Sequence, residues 1–164
     1  MNLALPVGIV VIGRNEGERL VACLASLPDG VPIVYVDSGS TDASVAEAEA
    51  VGAGVVALDM SRPFSAARAR NEGFAHLLAL APGTEAVQFL DGDTVLRPTW
   101  LSAASAFLLA NPDVVAVAGL VATEEHPTLA DLQAASTLSP DAVEAVVLFL
   151  LKYDVVALAP HQAK

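Results

Sequence analysis

The chain reads as an α/β domain: an open, largely parallel sheet of about five strands with helices on both faces. Short β-branched runs alternate with helically periodic segments from Pro6 to Ala122, as in parallel sheets built from strand–helix–strand units. The strand runs are apolar throughout rather than alternating, as expected when both faces are covered. Polar clusters follow several strands, at the carboxyl ends where such sheets bind ligands.

The first strand is Pro6 to Gly13, "PVGIVVIG". "NEGERLVACLASL" follows, with Leu20, Val21, Leu24 and Leu27 at helical spacing, and "PDG" ends it. "VPIVYVD" is a second strand ending at Asp37. In the loop "SGSTD", the side chains of Ser40, Thr41 and Asp42 are suited to cap the next helix, "ASVAEAEAVG". "AGVVALDM" is a third strand, and "SRPFSAARARNEGFAHLLALA" contains a long helix closed by "PGT". "EAVQFL" is the fourth strand. "PTWLSAASAFLLA" is a helix with Pro98 in its first turn, and "VVAVAGLVA" after "NPD" is a fifth strand. This places one domain over residues 1–124. A divergent helical segment, 125–164, packs on it, with Ser139-Pro140-Asp141 opening its second helix.

With 164 residues, 54% hydrophobic and 5% aromatic, the chain can fill one core with small aliphatic side chains and is too apolar for disorder. Its net charge of −11 disfavours binding to nucleic-acid backbones. A small anion is still admissible if a metal ion and one or two arginines hold it. Cys23 is the sole cysteine, so no intrachain disulfide or Cys-based metal site is available. The apolar N-terminus has no Lys or Arg before it, and Arg14 follows directly, so it is a poor secretory signal. "AVEAVVLFLLKYDVVALA" is interrupted by Lys152 and Asp154 and reads as a core helix rather than a span. His76 and His161 lack metal-ligand spacing.

Three clusters should meet on one rim: Arg14, Asn15 and Glu16 after the first strand, Asp37 and Ser38 after the second, and Asp91 and Asp93 after the fourth. Asp-Gly is a hairpin signal, but "TVLRPTW" after it has no matching strand alternation. The other reading of Asp91-Gly92-Asp93 is a divalent-metal site. Carboxylates suit Mg²⁺ or Mn²⁺, and glycine permits close approach. A dinucleotide site is disfavoured, because "GRNEGE" after the first strand is not G-x-G-x-x-G.

"IVVIGRNEGERL", "VYVDSGSTD", "ARARNEGFAHL" and "VQFLDGDTVLRPTWL" occur in this order. From Val7 to Ala122 the chain resembles the nucleotide-binding half of family 2 glycosyltransferases of the GT-A fold. "RPF" at Arg62 to Phe64 and Ala66 to Phe74 match one subgroup. The resemblance implies transfer of a sugar from a nucleoside diphosphate sugar to a saccharide or lipid-linked acceptor, with Mn²⁺ or Mg²⁺. It implies that Asp93 binds the metal, with Asp91 supporting the metal or ribose. Asp37 would contact the base or ribose, and Arg70 the base or diphosphate. Arg14, Asn15, Glu16 and Ser38 would line the nucleotide pocket; Ser38 stands where many relatives carry a second aspartate.

The family's acidic catalytic-base motif has no counterpart after Glu124, so the catalytic base is unknown, and the chain reads as truncated before it. Glu125 and Asp141 are weak substitutes, better read as solvated. A nucleotide-sugar-binding domain without transferase activity therefore stands as the alternative. The resemblance also implies a cytoplasmic protein, peripheral at the inner membrane face; the apolar surface left by the missing half instead suits dimerisation or membrane contact.

Overall fold

A computed structural model describes residues 3–114 and 116–117. Strand β1 (Val7–Gly13) is buried from Val7 to Ile12 because strands flank both its edges and helices cover both its faces. The pleat separates its side chains into two cores. Val7, Ile9 and Val11 pack with Leu20, Cys23 and Leu24 of α1 (Glu18–Ala25) and with Leu101 of α4 (Trp100–Ala110). Val10 and Ile12 pack on the other face with Ala69 and Leu77 of α3 (Ala66–Leu80). Helices on both faces follow from this division.

The sheet order is β3-β2-β1-β4, where β2 is Ile33–Asp37, β3 is Gly54–Ala57 and β4 is Ala86–Asp91. Every pairing is parallel. The described residues thus form four strands of the expected five. Of the fifth expected strand, residues 114–122, only Val114, Ala116 and Val117 are described, none of them in a strand, and the rest lies outside. So do segment 125–164, Glu125, Asp141, His161 and the apolar run around Lys152. Among the described residues, no helix is long and apolar enough to cross a membrane.

Local chemistry sets where the helices begin. The Ser65 hydroxyl accepts the Arg68 N–H at 3.1 Å and caps α3. Helix α2 (Ser44–Ala50) begins after Ala43, with no side-chain cap on that residue. Asp42 accepts the Ser44 N–H at 3.0 Å, while Ser40 and Thr41 are engaged elsewhere, so only part of the expected cap forms. Helix α4 begins at Trp100, after Pro98 rather than around it, and Trp100 Nε1–H donates to Gln88 Oε1 at 2.6 Å.

Helix α3 lies close to the sheet because Gly73 has no side chain. A Cβ there would sit 2.6 Å from both Val10 Cγ1 and Val36 Cγ2. That close seating brings Arg70, one turn earlier on the same helix, to the carboxyl end of β4.

Candidate functional site

The strand register fixes the rim. Asp37 pairs with Gly13, and Asp91 pairs with Ile12, so the two aspartates flank the end of β1. At two inter-strand spacings their Cα atoms are roughly 10 Å apart. The chain order reverses between β1 and β4, which makes their carboxyl ends the switch point where α/β sheets open a ligand crevice.

Asp91 to Thr94 forms a tight turn, in which the Thr94 N–H donates to Asp91 O at 2.9 Å. No hairpin follows among the described residues; β4 pairs with β1 alone. The Gly92 N–H donates to Ile12 O at 2.8 Å and ties the turn to β1. A Cβ on Gly92 would lie 3.1 Å from Glu16 Cγ and 3.3 Å from Ile12 O. Glycine is therefore needed here for packing against β1 and Glu16. Close ligand approach, the reason expected from the sequence, is thus not the only demand for glycine at this position.

The two carboxylates differ. Asp91 Oδ1 lies 2.7 Å from Arg70 Nη2. Asp93 is exposed and has no hydrogen bond or ion pair among the described residues. Of the three arginines around α3, only Arg70 reaches the turn. Arg68 Nη2 donates to Asp59 O at 2.8 Å, and Arg62 is exposed. Among the described residues, Arg68 Nε and Nη1 are buried without hydrogen-bond partners, and Nε lies 3.9 Å from Glu72 Oε1.

Asp37 lies beneath the rim, 6% exposed. Its Oδ2 accepts the N–H groups of Gly39 and Ser40, each at 3.0 Å, and shapes the β2–α2 loop. The Tyr35 hydroxyl lies 3.5 Å from Oδ1, and burial raises the Tyr35 pKa above its ordinary value. Ser38 is also buried, and its N–H continues the ladder to Gly13 O at 3.0 Å. These two residues form the floor.

The β1–α1 loop supplies the wall. Arg14 is exposed, with no partner among the described residues. Asn15 has φ +53°, a conformation that asparagine tolerates better than most residues. Its N–H donates to Ser40 Oγ at 2.9 Å, and its Oδ1 accepts the Thr41 N–H at 2.7 Å. Glu16 Oε2 lies 2.8 Å from Arg19 Nη2.

Behind the turn, Cys23 is buried with its Sγ 3.9 Å from Asp91 O. Burial, and then the charges of Asp93 and Asp91, push its pKa up to about 11. It is a neutral core thiol, not a nucleophile.

Among the described residues, no group of three or more His, Cys, Asp or Glu could hold a metal by itself. The donors fit another arrangement. Mg²⁺ and Mn²⁺ are commonly held by one or two carboxylates, with water and substrate phosphates completing the shell. Asp93, unengaged among the described residues, and Asp91 beside it suit that role.

The family model for glycosyl transferase family 2 matches residues 8–142, a range that contains every residue of this rim. The chain belongs to this family. No curated protein matches it. Family membership makes it a glycosyltransferase domain in general terms, of a class whose partners are a nucleotide-sugar donor and an acceptor. Divalent metals are common in family 2 glycosyltransferases.

The structure brings the β1, β2 and β4 clusters of this glycosyltransferase to one rim and adds Arg70 from α3. Sequence reasoning missed Ser40, Thr41 and Asp42 as part of the rim. Their signal in the sequence is "GSTD", which on local grounds suits a helix cap.

Proposed function

We propose that this domain binds a nucleoside diphosphate sugar at the β1/β4 crevice with Mn²⁺ or Mg²⁺, for transfer to a saccharide or lipid-linked acceptor in polysaccharide or glycolipid synthesis. The observation that carries this reading is the asymmetry of the turn. Asp93 is open while Asp91 is held by Arg70 at 2.7 Å.

Asp93 would be the main protein ligand of the cation, with Asp91 supporting it or the ribose. When bound, the cation supplies neutralisation of the diphosphate leaving group. Arg70 directs Asp91 and offers its remaining N–H groups to a diphosphate or base. Arg14, Asn15 and Glu16 wall the nucleotide pocket, and Asp37 and Ser38 form its floor. Asp37 acts on the base or ribose chiefly through the loop it shapes, because its carboxylate is occupied by Gly39 and Ser40.

Calorimetric titration with UDP and with GDP tests this. Binding of at least one is expected with Mn²⁺, with loss in EDTA and in Asp93→Ala. Metal-independent binding, or none, overturns the site. The second reading, donor binding without transfer, is separated by assaying donor hydrolysis by the purified chain. It draws on the sequence after Glu124, which does not resemble the family's base motif.

A further inference from the structure

We propose that Asp42 and Asn15 are positioning residues that lock the β1–α1 and β2–α2 loops together and, through Glu16, hold the Asp91–Asp93 turn ready for donor. This rests on the donor-binding reading above.

The lock is made of directional contacts between the loops. Asn15 is joined to Ser40 at 2.9 Å and to Thr41 at 2.7 Å. The Gly17 N–H donates to Asp42 Oδ2 at 3.1 Å, while Asp42 Oδ1 accepts the Ser44 N–H at 3.0 Å. Asp42 thus spends one oxygen on the β1–α1 loop and the other on the start of α2. Both neighbours of Glu16 are therefore fixed to the second loop.

Glu16 transmits that constraint. Its Cγ lies 3.1 Å from where a Cβ would stand on Gly13, and equally 3.1 Å from one on Gly92. Its aliphatic stem therefore rests on the end of β1 and on the metal-binding turn together. A loop shift that lifts Glu16 removes the packing that seats Gly92, and with it the aim of Asp91 and Asp93.

The lock lies outside the core. Asn15, Thr41 and Asp42 are exposed, so their contacts bury little apolar surface. A device of this kind acts by pre-organising a site more than by stabilising the fold.

The test compares the full chain with Asp42→Ala, Asn15→Gly and Asn15→Asp. Amide hydrogen exchange reads the lock without ligand, titration with UDP and GDP in Mn²⁺ reads the site, and thermal unfolding reads the fold. In Asp42→Ala the Gly17 amide should exchange faster, and nucleotide affinity should fall by about tenfold, the scale of one lost directional hydrogen bond. The unfolding midpoint should stay within about 2 °C, as for surface substitutions. Asn15→Gly keeps the backbone conformation but loses the acceptor, so Thr41 protection and affinity both drop. Asn15→Asp keeps both features and restores Thr41 protection. Unchanged Gly17 exchange in Asp42→Ala overturns the lock itself. Lost protection with unchanged affinity overturns its link to the site, as does an affinity loss that merely follows a fall in melting temperature. If the wild-type chain binds neither nucleotide, the donor reading falls and this proposal with it, whatever the exchange data give.

Discussion

Arg70 Nη2 lies 2.7 Å from Asp91 Oδ1, which joins the second turn of α3 to the carboxyl end of β4. The pair is unequally exposed, with 16% of the Arg70 side chain and 57% of the Asp91 side chain accessible. Solvent therefore screens it, and its worth to folding is at most about 1 kcal/mol. On the donor-binding reading proposed above, its value to ligand binding is larger, because a charge-assisted bond to the diphosphate or base would form in a site closed by the nucleotide. Arg70→Ala should lower Mn²⁺-dependent nucleotide affinity by roughly tenfold while costing about 1 kcal/mol or less of stability. Urea unfolding beside titration checks this. A large stability loss with unchanged affinity would make the pair structural.

Gly92→Ala tests the seating of the turn. Gly92 is not among the glycines with positive φ, so alanine meets no backbone penalty there. The cost comes from contact with Glu16 Cγ at 3.1 Å and Ile12 O at 3.3 Å. The Glu16 stem can give, but the carbonyl of a central strand cannot move easily. The expected loss is about 1–3 kcal/mol, the range for overpacking. Nucleotide binding should weaken along with it. A stability equal to wild type in urea unfolding would show that the turn is loosely seated.

The layered fold was legible because it rests on period and composition. The unbroken apolar run from Val7 to Ile12 required cover on both faces, and the structure provides it. The rim was legible for a related reason: a parallel sheet sends every strand's carboxyl end the same way. Asp37 and Asp91 therefore had to emerge together, and the register places them on either side of β1. What did not show were contacts between side chains and distant backbone. Ser40, Thr41 and Asp42 suit a helix cap on local grounds, yet Ser40 and Thr41 are taken by Asn15, 25 and 26 residues away. Arg70 could not be separated from Arg62 and Arg68 by spacing alone. Only the close packing of α3 at Gly73 decides which arginine reaches Asp91.

Gly73→Ala sets two effects of known size against each other. Alanine in place of glycine inside a helix should stabilise by about 1 kcal/mol. The new methyl would stand 2.6 Å from the side chains of Val10 and Val36, both fully buried. Valine is stiff at χ1 and has little room to yield, so overpacking costs about 1–3 kcal/mol, at the upper end here. The net expectation is a loss of roughly 1–2 kcal/mol in urea unfolding, with α3 pushed outward and the Arg70–Asp91 pair lengthened. A rise in stability would mean that the helix is not held against the sheet at this point.

Asp42 gives the site a pH dependence whose sign can be worked out. Its carboxyl is held below the ordinary carboxylate range. Ser44 is the main cause. Its hydroxyl faces the carboxylate, short of hydrogen-bond geometry, and its N–H donates to Oδ1 at 3.0 Å, with the Gly17 N–H adding to this. The folded state thus holds the proton less tightly than the unfolded chain, whose aspartates titrate near about 3.9. The contribution of Asp42 is fully present above that value and fades as pH falls through the lower, folded value. The carboxyl resonance of Asp42 should therefore show a midpoint below the ordinary aspartate value. The Gly17 amide should lose protection, after correction for intrinsic exchange, over the same interval. Asp42→Asn removes the titration and leaves Gly17 exchange insensitive to pH in that range. A midpoint at or above the ordinary value would mean that Asp42 does not hold the two loops in solution.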